Sequence, residues 1–440
     1  MRAGIKIIDL IRGTNILEKY YLLKASASGP GNNEPRFKAT IPNSKSNTNQ
    51  LAQFLITIKK HNQYYKPLLA SFEDDHIINN PLEVLRSLPV IDKKTINDNY
   101  TTVHTPIKAR KTQKKKTGGS TGSPFYYYVD SEHLSWFWAY IYFFWNRFAN
   151  YSPGDPFITI AGNSLRTNNR RIIEKAYHGL QNNYFIKGDI IEPAMLIDFQ
   201  KTNKAKILYG YPSSIINIIK VKPELLNNIS NLTAIFTTSE QLLPQTRTAI
   251  ESAFKLPVFD MYGANDGGIL TCECQTHSGY HINTHNCFVE TFINEFGMSE
   301  LLLTNINSMS FPFVRYRVGD LGKLDYEKCT CGLEWPRIVE LKGRTRDLIV
   351  LPNGNTIHGS FFNSVFYKHP LIDAYKILQH KDRSIVLYLH TKTPDKFDEI
   401  SKSVLKEIID SLGEISLSVA ELAELNPTND KFKLIESHAI

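Results

Sequence analysis

No uncharged apolar run in the chain approaches the roughly 20 residues that a membrane-spanning helix requires. The most apolar stretch, LSWFWAYIYFFW (Leu134–Trp145), stops at twelve. That length predicts a buried helix, with peripheral membrane contact through its Trp and Tyr rings as the alternative. Cysteine is scarce as well. Cys272, Cys274, Cys287, Cys329 and Cys331 are all there are, an odd number confined to one window. Two C-x-C pairs in that pattern favour metal ligation in a reducing compartment over a disulfide framework. Charge of one sign is not concentrated: 51 basic residues face 43 acidic ones, a net +8. The excess suits anionic ligands such as nucleotides and falls short of a dedicated nucleic-acid binder. MRAGIKIIDLIRGTN carries Lys6, Asp9 and Arg12 inside its apolar stretch, and no cleavage site follows. No signal peptide is read there, and a cytoplasmic location is expected. There is no internal repeat.

What is present is enough for a large core. With 42% hydrophobic and 11% aromatic residues, global disorder is excluded, and 440 residues accommodate one large domain with a smaller one, or two to three of average size. Residues 26–50, rich in Ser, Asn, Gly and Pro, predict a surface connection between an N-terminal helix and one beginning near Leu51. From Phe157 onward, strands and helices alternate. FITIAG, AKILYGY, TAIFTTS and PVFDMYG read as strands, and RRIIEKAYHGL, PSSIINIIKV and Pro244–Lys255 as helices. That alternation predicts an α/β fold with a mainly parallel sheet flanked by helices. After about Gly268 the chain turns strand-rich (ELLLTNIN, VRYRVGDLGKL, RDLIVLPNGNTIHG), with Asn353-Gly354 as a hairpin turn. The last hundred residues (AYKILQHK, SIVLYLH, KFDEISKSVLKEIIDSLG) predict a small α+β domain.

The segment Thr117–Pro124, TGGSTGSP, offers hydroxyls, backbone N–H groups and permissive glycines, an array able to wrap anionic oxygens. No G-K-[ST] follows the glycines, which excludes a P-loop. Six Lys and Arg between Lys108 and Lys116 precede it. Beside a phosphate loop they are expected to raise the local concentration of ATP or an anionic acceptor; a solvated face is the alternative.

Read in order, further segments carry a resemblance. TGGSTGSP, GYPSSI (Gly210–Ile215), TTSEQL (Thr237–Leu242), MYGANDGG, YRVGDLG (Tyr316–Gly322), KGRTRD (Lys342–Asp347) and NPTNDKFKLIES follow one another over about residues 80–440. This ordered set resembles the adenylate-forming (acyl-activating) enzymes, in the phenylacetate–CoA ligase-like branch with its capsule-biosynthesis CapK-like relatives. The resemblance implies a large N-terminal domain over 1–345, including a β-rich, zinc-containing region at about 268–340, and a mobile C-terminal domain over 346–440. It implies ATP-dependent activation of a carboxylic acid to an acyl-adenylate, then transfer to CoA or another thiol. Amide or ester ligation in surface-polysaccharide or natural-product synthesis is the alternative. A zinc-ribbon nucleic-acid-binding protein, or a non-catalytic relative, is the rival from another class.

By the same resemblance, Thr117, Gly118, Gly119, Ser120, Thr121 and Gly122 would hold the β and γ phosphates. Tyr262 and Gly263 would contact the adenine side, with the Tyr262 ring stacked on the base, and Asp320 would accept the ribose hydroxyls. Asp266, where the family has Glu, would support Mg²⁺. Arg344 would contact phosphate or ribose, and Arg346 stands at the hinge. Lys431 would reach in during adenylation, preceded by Asp430 where the family prefers Gly, with Lys433 nearby. Ser239 stands where the family has Gly. Some members of the branch hold a structural Zn²⁺, which points to Cys274, His281, Cys329 and Cys331, with Cys272 and His277 as alternates. Cys287, in CFVETF, is expected in the core.

Overall fold

A computed structural model describes the chain apart from residues 1, 28–44, 108–109, 118–124, 162–170, 188–203, 222–229, 265, 295–296, 345–347, 423–434 and 439–440, and the single positions 355, 359, 368, 370, 392 and 414. Two helices, Ala3–Arg12 and Ile16–Ala27, open it. The next helix spans Lys45–His61 and starts six residues before the expected Leu51. Its first turns are polar (KSNTNQ), so no apolar periodicity announced them.

The basic run is partly a strand. β1 (Thr112–Thr117) pairs antiparallel with β2 (Phe125–Asp130), register Thr117 opposite Phe125. Phe125, Tyr127 and Val129 of β2 point into the core, so the hairpin's apolar face comes from β2 and lysines are tolerated on β1. Thr117 and Phe125 are therefore the two feet of the Ser/Thr/Gly loop. The loop's own residues, Gly118 to Pro124, lie outside the described residues, as does the Thr117 side chain.

A five-stranded parallel sheet follows: β3 (Phe157–Ala161), β4 (Asn183–Lys187), β5 (Ile207–Gly210), β6 (Ala234–Thr238) and β7 (Val258–Met261), in the order β4-β3-β5-β6-β7. Helices Arg171–Gln181, Pro212–Val221 and Pro244–Phe254 lie between them in sequence. The period of two is visible in the packing. Phe157, Ile207, Ala234 and Phe236 enter one core, and Ile158, Leu208 and Ile235 enter another with Ile215 and Ile250. The Leu134–Trp145 run lies within helix Ser131–Ala149 in the first of these cores. Asp130 caps that helix by accepting from the His133 amide at 3.0 Å, and Asn150 ends it at φ 50°. Tyr140, Tyr142, Phe144 and Trp145 are fully buried. At about 1.5–3 kcal/mol each, that burial accounts for the helix without a membrane. Among the described residues no helix is long and apolar enough to cross one.

The β-rich region is a seven-stranded sheet, order β11-β12-β13-β14-β10-β9-β8. Its strands are β8 (Gly263–Ala264), β9 (Ile269–Glu273), β10 (Tyr280–Ile282), β11 (Cys287–Ile293), β12 (Ser299–Asn305), β13 (Tyr316–Asp325) and β14 (Arg337–Arg344). Cys287 is buried in its core, as expected. β15 (Leu348–Val350) and β16 (Thr356–His358) form the hairpin around Asn353-Gly354. The C-terminal sheet has the order β19-β18-β17-β20, from β17 (Ile372–Gln379), β18 (Ile385–Thr391), β19 (Leu417–Glu421) and β20 (Ile435–Ser437). With helices Ser360–Tyr367 and Phe397–Leu412 it encloses a separate core.

Candidate active site and metal centre

Two sites form where the parallel sheet passes into the seven-stranded one. Tyr262 is the residue between β7 and β8, at the carboxyl end of a parallel strand, the edge where open α/β sheets bind ligands. Its phenol donates to Asp320 Oδ2 of β13 at 2.7 Å. Arg344 stands opposite Asp320 in the β13–β14 register. Arg317, in the YRVGDLG segment with Asp320, is held elsewhere: its guanidinium makes a two-pronged pair with buried Glu300, at 2.7 and 2.9 Å, tying β13 to β12. Gly263 opens β8 opposite Leu270.

Asp266 is buried beside this pair of strands. Its Oδ2 accepts from Tyr316 at 3.0 Å and lies 2.9 Å from the Lys93 ammonium. Lys93 carries no motif, so sequence reading passed over it. The structure delivers it through the backbone: Ile91 bridges to Tyr316, and its carbonyl accepts the Arg317 amide at 2.7 Å. Lys93 also lies 5.6 Å from the Phe125 ring centre. The foot of the Ser/Thr/Gly loop and Asp266 thus share one neighbour. Behind Asp266 the chain turns through Gly267 (φ 104°) and Gly268 (φ 69°). A Cβ on Gly268 would fall 2.0 Å from Asn305 Nδ2 and 2.4 Å from His133 Cε1. Asn286 and Asn305 donate to the Gly268 carbonyl at 2.8 and 3.3 Å, so the turn is held from behind.

A polar layer supports these segments. In TTSEQL, Ser239 adopts φ 69°, the left-handed conformation that glycine favours, at the position where the family has glycine. Glu240 then accepts the Ser213 amide and hydroxyl at 3.0 and 2.8 Å, joining TTSEQL to GYPSSI. Thr237 donates to Asp260 Oδ1 at 2.6 Å, and Tyr280, edge-on to Tyr262, donates to Asp260 Oδ2 at 2.7 Å. Burial pushes Asp260 up to about 6, against the lowering effect of Thr237. Its neighbour Glu273 accepts the Asp260 amide at 3.0 Å and Arg247 at 2.6 Å. Burial pushes Glu273 up, but the His277 hydrogen bond, the Arg247 guanidinium and the Asp260 amide outweigh it and hold it low. Asp260, Glu273 and Tyr280 were not legible as site residues, since isolated acids in strands carry no motif.

The second site is a Cys/His cluster. The ligand atoms of Cys274, His281, Cys329 and Cys331 all lie within 4.8 Å of one another. Cys274 follows the end of β9, His281 lies on β10, and the two later cysteines occupy the β13–β14 connection. Cys274 Sγ is 3.6 Å from Cys329 Sγ, and Cys331 Sγ is 3.4 Å from His281 Nε2. His281 Nδ1 lies 3.2 Å from the Trp335 carbonyl, which leaves Nε2 turned to the sulfurs. The Leu333 amide donates to Cys331 Sγ at 3.4 Å. Three thiols and one imidazole, close enough to surround one ion, suit a tetrahedral metal centre. The two alternates point away. Cys272 packs in the aromatic core, and His277 faces Arg247 and Glu273.

Of the remaining expected residues, Gly118, Gly119, Ser120, Thr121, Gly122, Lys431, Asp430, Lys433, Arg346 and the Arg344 side chain lie outside the described residues.

No protein-family model matches the chain. It aligns over 376 residues at 24% identity with "Protein CapK" of Staphylococcus aureus, covering 80% of this chain and 79% of that one. A shorter alignment of 111 residues, 29% identical and 24% of each chain, is with the phenylacetate–coenzyme A ligase of Thermus thermophilus. Among solved structures it superimposes on 2-hydroxyisobutyryl-CoA ligase in the postadenylation state, in complex with R3-HIB-AMP. The TM-score is 0.70 at 16% identity, over 92% of this chain and 94% of that one. The α/β fold expected from the sequence is the fold of that solved ligase, and the ordered motifs resemble the kind of protein that the names of these two relatives describe.

Proposed function

We propose, from the resemblance to the adenylate-forming enzymes, that the chain is an ATP-dependent, AMP-forming ligase that activates a carboxylic acid and passes the acyl group to the thiol of CoA. The observation that carries this reading is the Tyr262–Asp320 pair at the carboxyl edge of the parallel sheet, with Asp266 and the feet of the Ser/Thr/Gly loop beside it. Asp320 presents a fixed carboxylate of the kind that accepts ribose hydroxyls. Asp266 is the candidate carboxylate for Mg²⁺, which would neutralise the phosphates. The loop 117–122 and Lys431 would supply donors to the phosphate and carboxylate oxygens as negative charge develops. Arg344, beside Asp320 in the register, would contact phosphate or ribose. Residues 346–440 would act as a domain that moves between the two half-reactions. The Cys/His cluster would hold a structural Zn²⁺. Its three unbridged cysteines suit a reducing cytoplasm.

Carboxylate-dependent ATP–pyrophosphate exchange, run with a panel of acids, tests the reading. Exchange is expected with at least one acid and is expected to fall about a hundredfold in Asp320→Ala and in Lys431→Ala. Exchange that is unchanged in Asp320→Ala removes the proposed ribose site. No exchange with any acid removes the ligase reading itself.

A further inference from the structure

The N-terminal helix pair has a second apolar face that the described residues leave exposed. On helix Ala3–Arg12, Ile5 and Ile8 are buried against the core. On the other side Leu10 is 82% exposed, Ile11 61% and Ile7 44%. The helical repeat sets Arg2, Lys6 and Leu10 in one row and Ala3, Ile7 and Ile11 in the next. Tyr21 and Leu22 of the adjoining helix are exposed too, and the Arg2 guanidinium lies 5.4 Å from the Tyr21 ring centre, so the two faces adjoin.

The charge on this surface has one dominant sign. The acid on the first helix, Asp9, is turned inward, where Oδ1 accepts from the Thr14 hydroxyl at 2.7 Å and the Ile16 amide at 3.0 Å. Glu18, on the second helix, accepts from Asn15 at 3.2 Å and lies 3.8 Å from Lys19. The positive field extends beyond the helices. Lys111 donates to the Ile11 carbonyl at 2.6 Å and leads into β1, where Lys114 and Lys116 are exposed.

We propose that this face docks on an anionic lipid bilayer, with Ile7, Leu10 and Ile11 entering the headgroup boundary while Arg2, Lys6 and the β1 lysines meet lipid phosphates. Apolar side chains flanked by cations on a short helix are the chemistry of an interfacial contact, and the helix is far too short to span. A second copy fits less well, because a two-fold contact would set the Arg2–Lys6 row against itself. The aromatic run Leu134–Trp145 takes no part, its side chains being buried or half-buried.

Flotation of the full-length protein with vesicles tests this, using phosphatidylcholine alone and phosphatidylcholine with an equal part of phosphatidylglycerol. The protein is expected to float with the anionic vesicles only, and less as salt rises. Lys6→Gln is expected to weaken binding about fivefold, and Leu10→Glu with Ile11→Glu at least about tenfold. These exposed variants are expected to keep the wild-type unfolding temperature and exchange activity. Wild-type protein that floats with neither vesicle, or equally with both, overturns the proposal, as does binding that is unchanged in the variants. A dimer that Leu10→Glu converts to monomer, without vesicle binding, would assign the face to a second copy instead.

Discussion

The Cys/His cluster and the polar layer under Tyr262 share strands β9 and β10, yet they are held together by different means. In the cluster, four ligand atoms converge from two connections and strand β10, and the surrounding hydrogen bonds only orient them: the Trp335 carbonyl for His281, the Leu333 amide for Cys331. In the polar layer there is no single centre: Asp260 takes Thr237 and Tyr280 on its two oxygens, while Glu273 Oε2 meets Arg247, His277 and the Asp260 amide. Thr237, Asp260, Tyr280, Glu273 and Arg247 form a chain of pairwise bonds, with one buried carboxyl pushed up and its neighbour held low. The first arrangement depends on every member, since a lost ligand leaves the rest without a centre. The second distributes its dependence, and its sensitivity is to protons.

The largest effect expected from breaking this contrast lies at the cluster. Cys329→Ser should lose the metal and destabilise the chain by about 3 kcal/mol or more. Metal analysis of purified protein and denaturant unfolding check this. Full stability and no bound metal in the wild type would place the four residues among ordinary core side chains.

A second test sharpens the proton side. Asp260 is raised from 3.8 to about 6, so its contribution to stability is fully present below about pH 4 and is lost as the pH rises through 6. Relative to Asp260→Asn, the wild type should therefore lose up to about 3 kcal/mol across that window and change no further above it. Glu273 runs the opposite way, contributing above the ordinary carboxylate range and losing that contribution as pH falls. Urea unfolding of both proteins at a series of pH values separates the two. Parallel curves would show that Asp260 is ionised throughout.

The smallest effect belongs to Ser239. A non-glycine residue at φ 69° costs of order 1 kcal/mol, so Ser239→Gly should recover about that much, less the entropy glycine returns to the unfolded chain. Thermal unfolding reads it directly. A destabilised Ser239→Gly would mean that the serine side chain contributes more than its backbone strain costs.

How much of this was legible depended on whether the signal was local. Phe157, Ile207 and Phe236 alternate with polar or opposite-face residues, and those strands were predicted close to their observed bounds. The strand Asn183–Lys187 was missed because it follows its helix with no turn signal and contains Asn and Lys. β1 was read as charge, since its apolar partner surface belongs to β2. The cluster's ligands were named in advance with two alternates standing. The structure brings Cys274 rather than Cys272 to His281, Cys329 and Cys331, because Cys274 lies just past the end of β9, while Cys272 stays within the strand and under the aromatic helix.

By itself the sequence determined the alternating α/β order, the buried fate of an aromatic run too short to cross a bilayer, and the ordered motifs that carry the superfamily resemblance. These are properties of neighbours along the chain, set by side-chain period and residue type. Tertiary structure alone decided that Lys93 meets Asp266, that Tyr262 binds Asp320 across 58 positions, and that Asp260 and Glu273 part in proton affinity. Each depends on distance and burial between segments far apart in sequence, and the energy of a charge is set by what lies within a few ångströms of it in space.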